Sequence, residues 1–469
     1  MSECNMETGM REFLEAGVIS PARMRAVDRN AIALGVSALQ LMESAGKALA
    51  GTVRGEDVSS VVILCGKGNN GGDGMVAARH LQDLEPVVVY YDSPGMSKET
   101  ALQLGALRHC SVKLFPVGCA EDLRPLEREF SGADIIVDAL LGTGARGEIS
   151  GPLAGIVEQA NMSRAKIIAA DIPTPGMRAD IILSFHRPKV AGAGIADIGI
   201  PIEAECMTGP GDLTLVPKRG RTAHKGAGGR VLVIGGGPYQ GAPFLAGLGA
   251  LRAGADIVRV ASPVSEPVPE LIYENLPGKF ISSDNIEQLL RLAELSDVVI
   301  LGNGMGDQSH KVVREVAARC KKAVFDADAL RLPLPFAGES LYTPHAGEFS
   351  RITGVLPPED LVSRARAVKA AAVQGTILLK GPVDVISDGK RVRFNRTGTP
   401  LMTAGGTGDV LAGVAGALFC HLPAFEAACI AAYVNGKAGM TVEYTRGGGL
   451  LASELADHIP RELFRGGEL

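Results

Sequence analysis

The chain has 469 residues, a length that predicts two or three domains, each large enough to bury its own core. Its 47 lysines and arginines against 52 aspartates and glutamates give a net charge of −5, too small to attract nucleic acid or an anionic membrane over the whole surface. Aromatic residues make up only 4% of the chain while glycine contributes 60 residues, which favours tight turns around ligands over platforms that stack bases.

The cysteines and the apolar segments indicate the compartment. No two of the eight cysteines form a C-x-x-C pair, so we expect reduced thiols and neither a disulfide framework nor a zinc site. The N-terminus lacks the basic start and apolar stretch of a signal peptide. The most apolar stretch, residues 410–434, contains His421, Pro423 and Glu426, which are costly in a bilayer centre. The sequence therefore predicts a cytoplasmic protein without a membrane or nucleic-acid partner.

In both halves of the chain, apolar runs of strand length alternate with segments of helical period. This alternation predicts an α/β fold with parallel sheets and helices on both faces. The expected strands of the first half cover residues 61–65, 87–91, 133–141, 166–173, 179–185 and 195–201. A segment rich in glycine, proline and basic residues, 208–229, follows and predicts a linker.

The second half restarts the pattern with a strand at 230–237 and a helix at 241–255. Further strands are expected within residues 256–263, 297–306, 322–330, 340–345 and 376–381, before a helical bundle over 407–463. We therefore predict two domains, residues 1–215 and 216–469.

The first glycine loop follows the strand at 61–65. Gly66, Gly68 and Gly71 satisfy G-x-G-x-x-G, and Asp92 ends the next strand about where the ribose-binding acid of an NAD site would lie. An ordinary dehydrogenase is one interpretation of this pattern. It leaves the polar residues of the loop unexplained, because phosphate binding needs only backbone N–H groups and a helix N-terminus.

Those polar residues are Asn69, Asn70 and Asp73. An aspartate beside a phosphate would repel it, so Asp73 either caps the helix or accepts a hydrogen bond from a hydroxyl. The loop is therefore expected to hold something besides phosphate.

Two later strands of the first half carry acids near their ends, Asp138 and Asp171. The carboxyl ends of parallel strands line one crevice, so Asn70, Asp138, Asp171 and Thr174 can converge there. Convergent oxygen ligands suit a hard cation. The alternative is that both aspartates only cap the turns that follow them.

The first half of the chain resembles the NAD(P)H-hydrate epimerase domain over nearly all of residues 20–205. The similarity rests on MRAVDRNAIALGVSALQLMESAG (24–46), GKGNNGGDGMVAARHL (66–81), VDALLGTGARGE (137–148), DIPTPG (171–176) and SFHRPK (184–189). It implies a Rossmann-like three-layer α/β/α fold. Thr174 with Pro175 replaces the serine usual in this family, although a hydroxyl is retained.

The resemblance also implies site residues. K⁺ would be bound by Asn70, Asp138 and Thr174. The hydrated nicotinamide nucleotide would be bound by Asn69, Asn70, Gly71, Gly72, Asp73, Gly142, Thr143, Gly144, Ala145, Arg146, Gly147, Glu148 and Asp171. Because inversion at C6 of the hydrated ring needs proton transfer, Asp171 is our hypothesis for the acid or base.

The second glycine loop, TAGGTGDVLAGVAGALF (403–419), precedes a helix of small residues. Gly405, Gly406 and Gly408 leave backbone N–H groups and the positive end of the helix dipole facing outward, which predicts an anion site. Asp409 could accept a proton from a substrate hydroxyl while the N–H groups bind a transferring phosphoryl group. Alternatively, Asp409 only favours the first helical turn.

The second half resembles the ADP/ATP-dependent NAD(P)H-hydrate dehydratase, a ribokinase-like α/β fold, across residues 224–460. The similarity rests on HKGAGGRVLVIGG, YQGAP, LRAGAD, GNGMG, TPHAGEF, LLKG and AGGTGDVLAG in this order. It implies that the S-hydrate is contacted by Ala242, Gly304 or Gly306, His345 and Asp409. The adenine nucleotide would be contacted by Lys380, Gly381, Pro382, Val383, Asp384 and Gly408.

Together, the two halves resemble the bifunctional NAD(P)H-hydrate repair enzymes. The resemblance implies epimerisation of R and S hydrates of NADH and NADPH and dehydration of the S form, with ADP preferred over ATP and Mg²⁺ on the phosphates. An alternative is a ribokinase-like vitamin-precursor kinase fused to a nucleotide-binding module. Apolar faces on small-residue helices favour a homo-oligomer.

Overall fold

A computed structural model describes residues 9–144, 148–220, 222–266 and 268–464. The chain forms two compact units: Ala16–Pro201 is one, and residues 9–15 join residues 202–464 in the other. Each unit is built on a largely parallel sheet, so the predicted α/β class is confirmed. Within the described ranges, no helix has both the length and the apolar character needed to cross a membrane.

The first unit alternates strands and helices. Its strands are β1 Val61–Cys65, β2 Val87–Tyr91, β3 Lys113–Val117, β4 Ile135–Ala139, β5 Lys166–Ala170, β6 Ile181–Phe185 and β7 Gly194–Ala196. Its helices are α1 Pro21–Ala33, α2 Ala38–Arg54, α3 Asn69–His80, α4 Lys98–Leu107, α5 Glu127–Gly132 and α6 Pro152–Met162.

The strand order of this sheet creates a crevice. All seven strands are parallel in the order β3-β2-β1-β4-β5-β6-β7, so the chain runs outward in one direction from β1 and then in the other from β4. Helices that follow β1 and β4 leave on opposite faces at this switch point, which opens a crevice beyond the carboxyl ends of the two strands. Both strands are fully buried, as expected for apolar runs covered on both faces.

Two sequence predictions for this unit were wrong. Strand β3 was not predicted, because it is a partly exposed edge strand that contains Pro116. Of the strand expected at 195–201, only Gly194–Ala196 forms, and it is the opposite edge of the sheet. Edge strands lack the continuous apolar signal of the central ones.

The second unit repeats the alternation on a larger scale. Its strands are β8 Arg230–Ile234, β9 Ile257–Ser262, β10 Ile272–Asn275, β11 Val298–Leu301, β12 Lys322–Phe325, β13 Glu339–Tyr342, β14 Thr376–Leu379, β15 Asp384–Ser387 and β16 Val392–Asn395. Its helices are α7 Ile202–Cys206, α8 Ala242–Arg252, α9 Ile286–Glu294, α10 His310–Ala317, α11 Ala346–Thr353, α12 Leu361–Ala371, α13 Thr407–Phe419, α14 Ala424–Arg446 and α15 Ala452–Phe464.

The sheet order of the second unit is β10-β9-β8-β11-β12-β13-β14-β15-β16. Its switch point lies between β8 and β11, so the same rule places a crevice at their carboxyl ends. The last three strands pair antiparallel, which corrects the expectation of a wholly parallel sheet. Only two residues separate the prediction at 376–381 from β15, so the chain turns back directly instead of crossing over through a helix.

The predicted bundle over 407–463 corresponds to α13, α14 and α15. Helix α13 packs closely on α8, because a Cβ at Gly413 would lie 2.0 Å from the carbonyl oxygen of Ala246. Small residues in α13 therefore allow its backbone to approach that of α8. Most of α13 is buried in the core of the second unit.

Residues 202–215 pack in the second unit, although the predicted boundary at 215 assigns them to the first domain. Met207 forms an isolated parallel β-bridge with Phe394 of β16. Arg393 forms a buried ion pair with Asp212 at 2.7 Å. The first part of the predicted linker is therefore packed structure, because it carries buried groups among its glycines. The two compact units of the structure thus differ from the predicted domains 1–215 and 216–469. The boundary between the two predicted functions stays a prediction.

Candidate active sites

The first site begins at the loop between β1 and α3. Gly68 is the N-cap of α3, and it provides no side-chain cap for the first N–H groups of the helix. A Cβ at Gly71 would lie 1.8 Å from the carbonyl oxygen of Gly66, which is why the tight turn requires glycine. Asp73 lies inside α3, so it does not cap the helix as one interpretation predicted.

Oxygen-bearing side chains converge behind this loop. The backbone N–H and Oγ1 of Thr174 both donate to the Asp138 carboxylate at 2.7 Å. Thr174 Oγ1 accepts from the N–H of Leu141, whose carbonyl oxygen accepts from Asn70 Nδ2 at 3.2 Å. The predicted convergence of Asn70, Asp138 and Thr174 is therefore present in the structure.

This cluster has donor atoms that suit a hard cation. Asn70 Oδ1 is buried and has no hydrogen-bond partner among the described residues. Burial raises the pKa of Asp138, although hydrogen bonds from Thr174 and Leu140 oppose that shift. A positive charge here would satisfy the amide oxygen and stabilise the buried carboxylate. The N–H of Leu140 donates to Asp138, so Asp138 caps its turn as the alternative interpretation predicted, and cation binding by this residue stays a prediction.

A cavity of about 590 Å³ lies in front of the cluster. It is lined by elements on both sides of the crevice: α1, α2, the start of α3, and the loops after β4 and β5. Predicted site residues that line it are Asn69, Asn70, Asp73, Gly142, Thr143, Gly144 and Asp171.

The other predicted residues lie elsewhere. Gly71 and Gly72 are buried in α3 under the loop. Glu148 is exposed and does not line the cavity. Ala145, Arg146 and Gly147 lie outside the described residues. Asp92, the acid of the dehydrogenase interpretation, is exposed and does not line the cavity either.

A buried lysine provides positive charge in this cavity. Lys189 Nζ lies 2.6 Å from Asp171 Oδ1 and also donates to the carbonyl oxygen of Phe185. Asp171 has a positive φ of 66°, a left-handed conformation that its backbone bonds to β6 hold in place. Its side chain thus faces Lys189 instead of capping the following turn.

Two further carboxyl groups share this environment. Burial, together with the charges of Asp171 and Asp28, raises the pKa of Asp73 well above its usual range. Burial likewise raises the pKa of Asp28 to about 6, although Lys189 opposes the shift. Three acids therefore face one lysine.

The sequence interpretation missed Asp28 and Lys189, although both lie in segments on which the resemblance was based. Neither follows a parallel strand at the switch point, so the strand-end rule gave no signal for them. Each also lies near other charged residues, Arg25 and Arg29 for Asp28 and Arg187 for Lys189, so local composition gave no signal either.

The second site begins at the N-terminus of α13. Its N-cap, Gly406, has a φ of 93°, and a Cβ there would lie 2.5 Å from Leu245 Cδ1, so glycine is required. Asp409 lies in the first turn, and Asn303 Nδ2 donates to its Oδ1 at 2.7 Å. Burial raises the pKa of Asp409 to about 7, and the nearby charge of Asp326 contributes.

Asp326, at the end of β12, connects the charged groups of this site. It accepts from Asn303 Nδ2 at 3.2 Å and from Lys380 Nζ at 2.9 Å. The Lys380 ammonium lies beside the start of α13, because a Cβ at Gly408 would be 3.4 Å from Nζ. Burial would lower the pKa of Lys380, but the carboxylates around it, Asp326 foremost, outweigh burial and raise it.

His345 and Glu348 form the next wall. His345 is the N-cap of α11, and its Nδ1 accepts from the N–H groups of Gly347 and Glu348. Glu348 lies 3.9 Å from Lys380, and burial raises the pKa of its carboxyl to about 7. Since Nδ1 accepts, the proton of a neutral His345 is on Nε2, facing away from the cap.

The remaining predicted residues form the edges of the site. Ala242 is the first residue of α8, and a Cβ at Gly304 would lie 3.2 Å from its Cβ. The N–H of Gly306 donates to Asp328. Asp384 accepts from the N–H of Gly381 at 2.9 Å, which fixes the loop that contains Pro382 and Val383.

Sequence reasoning missed Asn303, Asp326 and Glu348. Asp326 directly follows a buried parallel strand, so the rule that selected Asp138 and Asp171 applies to it equally. Among the described residues, no group of three or more His, Cys, Asp or Glu side chains has metal-holding geometry.

Comparison with known proteins decides the family. A family model described as NAD(P)H-hydrate dehydratase matches residues 231–461, and one described as YjeF-related protein N-terminus matches residues 38–191. The bifunctional NAD(P)H-hydrate repair enzyme Nnr of Methanospirillum hungatei is 53% identical over 459 residues, covering 98% of this chain and 96% of the relative. The chain belongs to the family of bifunctional NAD(P)H-hydrate repair enzymes.

Other members of the repair-enzyme family also align over nearly the full length. The relative of the same name from Archaeoglobus fulgidus is 41% identical, covering 95% of this chain and 98% of the relative. Among solved structures, the ADP/ATP-dependent NAD(P)H-hydrate dehydratase from Bacillus subtilis, co-crystallised with ATP/Mg²⁺, is 29% identical with a TM-score of 0.47. That match covers 56% of this chain and 98% of the other.

Proposed function

We propose that the first unit interconverts the R and S hydrates of NADH and NADPH, and that the second dehydrates the S form with ADP, giving AMP and phosphate. The observation that carries this proposal is that each unit has, at its sheet's switch point, a helix N-terminus beside a cluster of carboxyl groups. The helix N-terminus suits the phosphates of a dinucleotide or of ADP. The carboxyl groups suit proton transfer at a hydroxyl.

In the second site, Asp409 is the proposed general base. It accepts the proton of the C6 hydroxyl while the hydroxyl oxygen attacks the terminal phosphoryl group of ADP and AMP leaves. Loss of that phosphate with a ring proton restores the double bond of the dihydronicotinamide, so the hydroxyl oxygen ends in free phosphate. A pKa of about 7 suits a group that gains and loses a proton at neutral pH.

The proposed S-hydrate contacts are Ala242, Gly304, Gly306 and His345, in addition to Asp409. The proposed nucleotide contacts are Gly408 and residues 380–384. Proximity of Lys380 to Gly408 supports a shared phosphate site, in which the ammonium and the helix N-terminus face the same anion. Mg²⁺ would enter with the nucleotide phosphates. We prefer ADP as the phosphoryl donor, with ATP as the alternative.

In the first site, we propose that K⁺ is bound by Asn70, Asp138 and Thr174. The unpartnered Asn70 Oδ1 and the buried Asp138 carboxylate support this ligand set. When bound, K⁺ would supply positive charge beside the substrate phosphates. Asp171 is proposed as a catalytic carboxylate at C6. The other proposed substrate contacts are Asn69, Gly71, Gly72, Asp73 and residues 142–148.

One experiment tests both activities. A mixture of R and S hydrates is incubated with K⁺, Mg²⁺ and ADP, then in parallel with ATP, and the near-ultraviolet absorbance of regenerated NADH or NADPH is followed. We expect complete recovery, faster with ADP. Recovery of the S fraction alone would contradict epimerisation. A stable phosphate ester without reduced coenzyme would identify a small-molecule kinase.

We also propose that the protein is cytoplasmic and self-associates. Buried thiols such as Cys65 and Cys320 favour a reducing compartment. Met440 and Tyr444, one turn apart on α14, expose apolar surface that a second copy could cover. Light scattering of the purified chain is expected to give a multiple of 48.7 kDa, and a monomer mass would contradict self-association.

A further inference from the structure

The pairing of Asp171 leaves the epimerisation without an evident proton donor. Asp171 lies 2.6 Å from the Lys189 ammonium, and its side chain is 13% exposed. The N–H of Phe185 also approaches its Oδ1, at 3.4 Å. An ion-paired carboxylate that accepts hydrogen bonds enters the R-to-S reaction as the proton acceptor, so the donor in this direction must be another residue.

Asp28 lies in the same cavity on a different element. Met24, Asp28 and Ile32 all line the cavity and are spaced four residues apart, so they form one face of α1. Asp28 is the only acid on that face. Asp171 instead comes from the loop after β5, so the two carboxyl groups reach the cavity from separate elements.

The charged groups around Asp28 come from several elements. Asp171 and Asp73 are negative neighbours, and Lys189, His186 and Arg25 oppose them. Burial is the largest influence on Asp28 and raises its pKa to about 6, so part of the population holds a proton near neutral pH.

We propose that Asp28 is the proton donor of the epimerisation and that Asp171 is its partner as proton acceptor. This inference rests on the proposed epimerase function of the first unit. Inversion at C6 breaks the bond to oxygen on one side of the ring and forms it on the other. Two carboxyl groups from different elements of one cavity provide a donor and an acceptor for these two events.

Epimerisation in the R-to-S direction proceeds through loss and return of water at C6. The Asp28 proton passes to the C6 hydroxyl, the C6–O bond breaks with its electron pair leaving in water, and the N1 lone pair forms a C=N bond. Water then adds to the opposite side of C6, the N1 pair returns to nitrogen, and Asp171 takes the proton of the added water. The proton returns to Asp28 through solvent, and the roles exchange in the reverse direction.

The test uses the full-length chain with Asp28→Asn, which keeps the shape but removes the acid. We expect kcat for R-to-S conversion to fall about a hundredfold or more while KM changes little. Wild-type kcat/KM should decrease as the pH rises above about 6, because only protonated Asp28 donates, and the variant should lose this dependence. Asp28→Glu keeps a donor one methylene further out and should recover at least about tenfold of the lost rate.

Two controls make the outcome decisive. Asp57→Asn, an exposed aspartate of the same unit, should keep the wild-type rate. Dehydration of pure S-hydrate by each variant reports on the second unit of the same chain. If Asp28→Asn keeps wild-type kcat and pH dependence, or if a folded Asp28→Glu is no faster than Asp28→Asn, the proposal is overturned. A wild-type chain that does not epimerise would instead overturn the proposed function itself.

Discussion

Each of the two sites contains one lysine among three carboxyl groups, but the lysine pairs with an acid of a different proposed role in each site. In the first unit, one lysine, Lys189, lies among Asp28, Asp73 and Asp171. In the second unit, Lys380 lies among Asp326, Glu348 and Asp409.

The difference lies in which acid the lysine contacts. Lys189 pairs directly with Asp171, the proposed catalytic carboxylate. Lys380 pairs with Asp326 instead, and Asp409 is held by the neutral amide of Asn303. A lysine stabilises the charge of the acid it contacts, so the acids further away retain raised pKa values. Asp28 and Asp409, whose pKa values are raised to about 6 and about 7, therefore hold a proton in part of the population near neutral pH.

The largest expected effect separates the two sites completely. Asp409→Asn should slow dehydration of the S-hydrate by about a hundredfold to ten-thousandfold, because the base is lost. Its epimerisation rate should equal that of the wild type, since Asp171 and its cavity are unchanged. The two rates are measured on pure S-hydrate with ADP and on pure R-hydrate without nucleotide. Dehydration at the normal rate would remove Asp409 as the base.

Removal of the second lysine tests whether it balances the acids. Lys380→Met should cost about 3 kcal/mol of unfolding free energy, because it leaves Asp326 buried without its ammonium partner. Lys311, which forms an exposed pair with Glu315, provides the matched control, and Lys311→Met should cost less than about 0.5 kcal/mol. Urea unfolding measures both. Equal costs would show that burial of the pair has no energetic role.

The amide between the two acids should set the pH dependence of dehydration. Its hydrogen bond stabilises ionised Asp409 and lowers the pKa of that carboxyl, so Asn303→Ala should raise the pKa above about 7. The acid limb of kcat/KM should move up by about one to two pH units, with loss of rate at pH 6 and little change at pH 9. Thr343→Val removes a hydroxyl that donates to Asp326 and to the carbonyl oxygen of Phe325 instead of to Asp409, and it should leave the limb in place. An unmoved limb in Asn303→Ala would contradict this coupling.

The smallest expected effect concerns the K⁺ ligands proposed for the first site. Thr174→Val removes the hydroxyl that donates to Asp138 and should raise the K⁺ concentration for half-maximal epimerisation about tenfold. Thr174→Ser keeps that hydroxyl and should stay close to the wild type. Epimerisation that is independent of K⁺ in all three proteins would refute the ligand assignment.

The central parallel strands were predictable from sequence, whereas the antiparallel β15 and the edge strands β3, β10 and β16 were not predicted. Strands β1 and β2 begin and end where the apolar runs 61–65 and 87–91 do, because a parallel strand buried on both faces must be apolar throughout. Strands β3 and β10 at the sheet edges are only partly buried, so their sequences carry no comparable signal.

The same physics limits prediction of the sites. Asp138 and Thr174 could be placed together because strand ends at a switch point converge by topology. Asp28 and Lys189 meet Asp171 only through the packing of a helix and a loop, which no local pattern encodes. The Thr407–Phe419 helix start was recognisable from its glycines, but the amide of Asn303 that holds Asp409 comes from a residue 106 positions earlier.

Residues 9–15 precede the first unit in the chain yet pack in the second. The Phe13 ring meets Phe394 edge-on at 5.8 Å, and Glu12 pairs with Arg366. The first unit is thus an insertion between two pieces of one core. A fragment that begins after residue 215 would contain Asp409 but not Phe13. Such an isolated second domain would need another apolar side chain to cover Phe394.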